Sequence, residues 1–187
     1  MIKRILLGVG LLVAVFILGI VALAGYAASR PSEFRISRNT SISAPPAVVF
    51  AQVDNLHKWQ DWSPWAKMDP NAKLTYSGPD AGTGASYSWS GNDKVGEGTM
   101  TITESRPNDL IRFKLDFIKP FQGTNAVEFT FEPREDQTVV TWTMSGHSNF
   151  LMKVIGIFMD CDKMLGPVFE KGLETLKSVS ENAAKRQ

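Results

Sequence analysis

The chain is poor in the residues that most often build metal sites and nucleophilic centres. Its 187 residues include one cysteine and two histidines. Cys161 has no partner for an internal disulfide, and we expect it as a small buried side chain near the start of a helix. His57 and His147 are far apart and have no cysteine cluster beside them, so no metal site is predicted. Gly82-Thr83-Gly84 lacks the lysine of a phosphate-binding loop and indicates a turn.

An excess of charge of one sign is also missing. The chain has twenty basic and nineteen acidic residues, which gives a formal net charge of +1. This balance gives no general reason to expect a nucleic-acid partner. The aromatic residues are more informative, because five tryptophans and eleven phenylalanines occur, many of them clustered. Beyond the first thirty or so positions, roughly 150 residues remain, which is enough for one hydrophobic core.

The N-terminal segment predicts a membrane anchor. Ile5 to Ala28 carries no charge and follows Lys3 and Arg4. A helix of this length can cross a hydrocarbon core of ~30 Å. A cleaved signal sequence is the alternative, although its apolar region usually spans only about 7–15 residues. We therefore predict a single-pass anchor at residues 1–29. The short basic start favours a cytoplasmic N-terminus and an extracytoplasmic, periplasmic domain, although basic residues flank both ends.

The region from Phe34 to His147 reads as a series of short strands. In the clearest one, Leu110 to Phe117, apolar side chains point one way while Arg112, Lys114 and Asp116 point the other. Turn signals recur about every ten residues, which predicts an antiparallel meander. Pro45-Pro46 interrupts this region and starts a short helix, with proline in its first turn.

The C-terminal region predicts two helices. From Cys161 to Val179, apolar residues recur at steps of three and four and form one stripe, which packs best against the apolar face of the sheet. Pro167 conflicts with a regular helix, so the helix either begins near Gly166 or kinks there. Phe150 to Met159 is apolar but too short to span a bilayer. It predicts a short helix that closes the open end of the domain, with a membrane-dipping or gating element as the alternative.

This order of elements resembles the helix-grip fold of the START-like, Bet v 1-like superfamily, in its bacterial polyketide cyclase/dehydrase-type (SRPBCC) branch. The segments that carry the resemblance are Ser43 to Phe50, Trp59 with Trp62-Ser63-Pro64-Trp65, Asp69-Pro70, Gly82-Thr83-Gly84, Trp89-Ser90-Gly91, Gly96-Glu97-Gly98, and Asp160 to Gly166 with Phe169 to Leu173. The resemblance implies an α+β fold with a curved antiparallel sheet of about seven strands around a long C-terminal helix. The predicted boundaries are a linker at 30–33, a ligand-binding domain at 34–182 and a polar tail at 183–187.

The resemblance also implies an apolar cavity, and the aromatic strands agree with it. One helix cannot fill the whole concavity of a bent sheet, and a mainly apolar cavity with a few polar groups is the usual small-molecule site. The Trp59, Trp62 and Trp65 cluster either plugs one end of the sheet or forms a cavity wall. The predicted ligand-binding residues are Trp62, Trp65, Tyr87, Trp89, Phe113, Phe129, Trp142, Met144 and Phe169.

Three functions remain open at this point. The favoured one is a membrane-anchored carrier or sensor for a hydrophobic small molecule or lipid, with no cofactor. A cyclase or dehydratase would need an ionisable side chain inside the cavity. The candidates are His57, Glu97, Asp116 and His147. Asp116 lies on the strand face away from the apolar set, and His147 at a strand end is typical of a surface or capping residue. Because no inward-facing ionisable pair is visible, no catalytic residue is assigned. The third is an envelope interaction protein with a closed core.

Overall fold

The computed structural model describes residues 2–186, with side chains at residue 8 and from residue 10 onward. Met1 and Gln187, the outermost residues of the predicted anchor and tail, lie outside the described residues. The chain forms two compact units. One contains the sheet and the C-terminal helix, and the other contains the N-terminal helix and a short helix formed by residues 150–158.

The first unit is built on a seven-stranded sheet. Its strands run in the order β1-β7-β6-β5-β4-β3-β2, and each pair from β2 to β7 is antiparallel. With the long C-terminal helix packed on it, this sheet confirms the predicted helix-grip fold. The strands are β1 (Glu33–Ile42), β2 (Lys73–Ser77), β3 (Ser86–Ser90), β4 (Glu97–Arg106), β5 (Leu110–Lys119), β6 (Gly123–Arg134) and β7 (Gln137–His147).

Alternation along the strands gives the sheet one apolar and one polar face. On the apolar face, Phe129 lies opposite Ile111 on one side and opposite Trp142 on the other. On the polar face, Arg112 donates to Glu104 at 2.7 Å and to Glu128 at 2.9 Å. Cross-strand neighbours share a face, so apolar and polar side chains separate largely by rows of partners.

Four helices accompany the sheet in this unit: α2 (Pro46–Asp54), α3 (Trp59–Trp62), α4 (Pro64–Met68) and α6 (Cys161–Ala184). Proline at the start of α2 fixes φ at a helical value and needs no N–H partner, as predicted. A single 3₁₀ turn at Leu56–Lys58 leads into α3. The apolar stripe of α6 is buried against the sheet through Phe169, Leu173 and Leu176.

The helix α6 begins at Cys161 and continues through Pro167, so the first of the two alternatives, a start near Gly166, is wrong. Arg38 of β1 holds both sides of this weak point. Its guanidinium donates two hydrogen bonds to Asp162, at 2.9 and 2.8 Å, and one to Glu170 at 2.8 Å. The same guanidinium lies against Gly166, where any Cβ would collide with it. This clamp from a neighbouring strand supports the turn in which proline supplies no N–H.

The second unit contains α1 (Ile2–Ser29) and α5 (Phe150–Phe158), which pack against each other. Within α1, the twenty residues Gly10–Ser29 are long and apolar enough to cross a membrane, with a mean hydropathy of 2.6. A signal sequence passes the same test of length and composition. The helix α5 belongs to the unit of α1, and none of its residues is fully buried. That it closes the open end of the sheet domain stays a prediction.

Candidate functional site on the concave face of the sheet

Most of the predicted ligand-binding residues pack against one another between the sheet and α6. Trp142 stacks on Phe169 with ring centroids 4.2 Å apart and on Phe129 at 4.9 Å, while Trp62 meets Trp142 edge-on at 5.7 Å. We call these four residues, with Trp59 and Phe113, the aromatic core. Six of the nine predicted residues are at most 4% exposed, namely Trp62, Phe113, Phe129, Trp142, Met144 and Phe169.

The aromatic core is closed tightly by its neighbours. Trp59 and Trp62 donate their indole N–H groups to the carbonyls of Val53 and Gln52, at 2.8 and 3.0 Å. On α6, a Cβ at Gly172 would lie only 2.8 Å from Cζ3 of Trp142. Buried, hydrogen-bonded indoles of this kind fill space and fix geometry. Trp59 and Trp62 are therefore packed interior side chains.

Beyond the aromatic core, the same face of the sheet is less covered. Tyr87 lies opposite Met100, which lies opposite Leu115, which in turn lies opposite Asn125. A parallel row runs from Trp89 across Gly98 to Phe117. Four side chains in these rows are only half-buried, and we call them the open half: Tyr87, Trp89, Phe117 and Asn125.

The rings of the open half form their own contacts. Trp89 meets Tyr87 at 5.8 Å and Phe117 at 5.8 Å, and its indole N–H donates to the carbonyl of Val95 at 2.9 Å. Its ring lies over Gly98, where a Cβ would collide with it. In the described part of the chain, no ring pair joins Tyr87 or Trp89 to the aromatic core. The nine predicted residues therefore fall into two groups.

Trp65 of α4 contacts the aromatic core, whereas Asn125 belongs to the open half. Trp65 is half-buried and meets Trp142 at 5.6 Å and Phe169 at 6.1 Å. The amide of Asn125 contacts the sulfur of Met144 at 3.8 Å. The sequence reasoning missed Asn125 and Phe117, although strand alternation puts Asn125 on the face of Val127 and Phe129 and so could have found it.

One buried polar atom in the aromatic core lacks a partner. Among the described residues, Nε1 of Trp142 has no hydrogen-bond acceptor, although the side chain is only 2% exposed. An unsatisfied buried donor costs about 1–3 kcal/mol. An oxygen atom of a water or of a bound molecule would remove this cost. No sequence signal distinguishes Trp142 from the other tryptophans in this respect.

The four ionisable candidates from the sequence occupy other positions. His57 is exposed, where it stacks on Tyr76 at 3.9 Å and lies 3.5 Å from Asp80. Glu97 accepts from Lys119 at 2.8 Å, and this hydrogen bond is the main cause that lowers the pKa of its carboxyl. His147 is exposed at the end of β7.

The fourth candidate, Asp116, alternates with the inward-facing Leu115 and Phe117 and therefore points to the polar face, as strand parity predicted. It accepts from Thr124 at 2.6 Å and pairs with Lys114 at 2.9 Å. The Thr124 hydrogen bond, followed by that from Lys114, lowers the pKa of its carboxyl. The carboxyl group of Asp116 is therefore ionised at neutral pH and lies on the polar face of the sheet.

A separate depression lies near the end of α6. It is open, has a volume of about 340 Å³ and is lined by Gln52, Lys58, Asp61, Val179, Asn182, Ala183 and Arg186. Its charged lining differs from the apolar one that the sequence predicts, so we place the candidate site on the concave face of the sheet.

Tyr87 provides a pH test of the burial in the open half. Burial is the main cause that raises the pKa of its hydroxyl, with a further increase from Tyr76. The contribution of the protonated hydroxyl to the free energy of unfolding is fully present below the ordinary pKa of about 10. It is lost as pH rises through the higher pKa of the folded state. We expect Tyr87→Phe to remove tyrosinate absorbance that develops only well above pH 10. Loss of absorbance that develops at pH 10 would contradict this burial.

Comparison with known proteins supports the architecture. The family model described as polyketide cyclase / dehydrase and lipid transport matches residues 33–181. No curated protein is significantly similar to the chain in sequence.

Solved structures share the fold at low sequence identity. A protein of Chromobacterium violaceum is 16% identical, with a TM-score of 0.57 over 81% of this chain and 99% of that one. The Aha1 dimer of Colwellia psychrerythraea is 19% identical, with a TM-score of 0.58 over 79% and 96%. Ara h 8.0201 is 10% identical, with a TM-score of 0.53 over 83% and 99%.

Proposed function

This chain belongs to the polyketide cyclase/dehydrase and lipid transport family, and from that premise we propose that it is a membrane-anchored carrier or sensor for a hydrophobic small molecule or lipid. The observation that carries the proposal is the open half, where Tyr87, Trp89 and Phe117 are left half-buried on the concave face. Covering such surface with an apolar ligand gains ~25 cal/mol per Å², before the costs of association.

The proposed site assigns different roles to the two groups of residues. Trp65, Tyr87 and Trp89 offer ring surfaces to a flat or ring-containing ligand. The aromatic core forms the rigid wall behind them, so Trp62, Phe113, Phe129, Met144 and Phe169 shape the site without being its main contact surface. Polar groups orient the ligand: the hydroxyl of Tyr87 and the amide of Asn125, both on half-buried side chains of the open half.

The anchor places this site beside its source of ligand. We propose that Gly10–Ser29 spans the membrane and that the domain lies on the extracytoplasmic side, as the short basic N-terminus favours. Protease added to intact spheroplasts should then remove the domain. A domain that remains uncut under these conditions, yet is cut after lysis, would refute the orientation.

The binding proposal is tested by the molecules that co-purify with the full chain. We expect an organic extract of detergent-solubilised protein, quantified by mass spectrometry, to contain a hydrophobic molecule in a fixed ratio to protein. Tyr87→Ala should reduce this ratio at least about tenfold, which corresponds to a loss of 1.4 kcal/mol in binding free energy.

The matched control is Ser88→Ala, on the same strand but on the polar face, where Ser88 shares a hydrogen bond with Thr99 at 2.8 Å. It should retain the wild-type ratio. An extract without any enriched molecule, from a protein whose tryptophan fluorescence also ignores added lipid probes, would refute the proposed function.

A further inference from the structure

The short helix α5 exposes a large apolar surface. Phe150 is 54% exposed, Leu151 51%, Phe158 75% and Met159, which follows the helix, 47%. Lys153 is the one charged residue in its sequence. Apolar side chains exposed together in this way mark a surface that meets a partner or a membrane.

The segment that directly follows α1 forms hydrogen bonds with α5 and with the residues that precede it. The guanidinium of Arg30 donates to the carbonyl of Gly156 at 2.7 Å, and the amide of Ser148 donates to the carbonyl of Ser32 at 2.6 Å. Arg30 directly follows Ser29, the last residue of the candidate span. Gly156 therefore lies within the reach of one arginine side chain from the boundary of the hydrocarbon core.

This segment is a formed helix and not an irregular loop. The side chain of Asn149 caps it by accepting from the amide of Met152 at 2.9 Å, and the amide of Met159 closes the last turn on Ile155 at 2.9 Å. A nine-residue helix is marginal in water by itself, and helices in proteins are stabilised mainly by packing of their apolar face. In the described chain Met152, Val154, Ile155 and Ile157 are half-buried and no residue of α5 is fully buried, so packing on protein covers only part of its apolar surface.

We propose that α5 is an interfacial helix that lies in the bilayer beside the end of α1. The inference rests on the proposed anchor. Phe150, Leu151, Phe158 and Met159 enter the boundary between headgroups and acyl chains, about 5–10 Å deep, as apolar faces of interfacial helices do. The long side chains of Arg30 and Lys153 reach back to the phosphates. The occupant of the exposed face is thus lipid, and the chain meets the membrane both before β1 and between β7 and α6.

The experiment measures membrane depth in the full chain, reconstituted in nanodiscs of phosphatidylcholine and phosphatidylglycerol. In a Cys161→Ser background, nitroxide labels are placed through Phe158→Cys, Leu151→Cys, Val21→Cys in the span and Asp136→Cys in the exposed β6–β7 turn. Relaxation by oxygen is compared with relaxation by a water-soluble nickel chelate. We expect a severalfold higher ratio of oxygen to nickel accessibility at positions 158, 151 and 21 than at position 136.

The outcomes separate this inference from the proposal on which it rests. If positions 158 and 151 behave like position 136 while position 21 is immersed, the anchor stands and the interfacial helix is refuted. If both reagents are excluded from positions 158 and 151, protein covers this face and the inference also fails. If position 21 is accessible to nickel, the proposed anchor is refuted, and so is the interfacial position of α5. Ligand binding is tested separately, by the molecules extracted from the purified protein. Met159→Cys replaces any variant that lacks the wild-type circular dichroism.

Discussion

Replacing Phe169 with alanine will lower the free energy of unfolding of the sheet domain by about 3–5 kcal/mol, the usual cost of truncating a buried phenylalanine. The side chain is completely buried and stacks on Trp142 at 4.2 Å with an angle of 9° between the ring planes. Its loss leaves a cavity that the surrounding rings, held between sheet and helix, cannot close. Urea denaturation of the full chain in detergent, followed by tryptophan fluorescence, measures the change.

The matched control is Glu174→Ala on the exposed side of the same helix, where Glu174 pairs with Lys171 at 2.9 Å. Exposed ion pairs contribute little, so its effect should stay within about 0.5 kcal/mol. A cost below about 1 kcal/mol for Phe169→Ala would show that the aromatic core is loosely filled. In that case the ligand site would extend into it.

Adding a single methyl group at Gly172 should also destabilise the domain. A Cβ there would lie 2.8 Å from the buried ring of Trp142 and 3.1 Å from Cδ of Pro64, neither of which moves freely. We expect Gly172→Ala to cost about 1–3 kcal/mol by overpacking. This cost must outweigh the ~1 kcal/mol by which alanine ordinarily favours a helix over glycine.

The control for Gly172 is Ser178→Ala, an exposed position of the same helix where only helix propensity changes. Its free energy of unfolding should stay equal or rise by a few tenths of a kcal/mol. If Gly172→Ala were also stabilising, the close approach of α6 to Trp142 would be contradicted.

The alternation of the strands made the sheet readable from the sequence. Because a period of two is a local property, Phe113 and Leu115 could be placed on one face and Lys114 on the other without any tertiary information. The same parity correctly put Asp116 outside. It could not distinguish Phe129, against which Trp59 and Trp62 pack, from Tyr87, which stays half-buried, because that difference depends on which elements cover the sheet. No local pattern encodes where those elements lie.

Two further features could not be predicted from the sequence, for related physical reasons. An apolar stretch such as Phe150 to Met159 has the same composition whether protein or lipid covers it, so the sequence alone could not decide between a lid on the domain and a membrane-dipping element. Proline normally interrupts a helix, but α6 continues through Pro167. Arg38, which is distant in sequence, pairs with Asp162 and Glu170 on either side of it. Compensation between distant residues becomes visible only in the folded chain.

The central claim is that a hydrophobic ligand occupies the open half while the aromatic core stays filled by its own side chains. Incorporating 5-fluorotryptophan gives one ¹⁹F resonance for each of the five tryptophans, which Trp→Phe variants assign. Spectra of the detergent-washed full chain in nanodiscs are compared before and after exposure to a total lipid extract. We expect the resonances of Trp65 and Trp89 to shift while those of Trp59 and Trp62 stay in place. Five unchanged resonances, or shifts confined to Trp59 and Trp62, would contradict the claim.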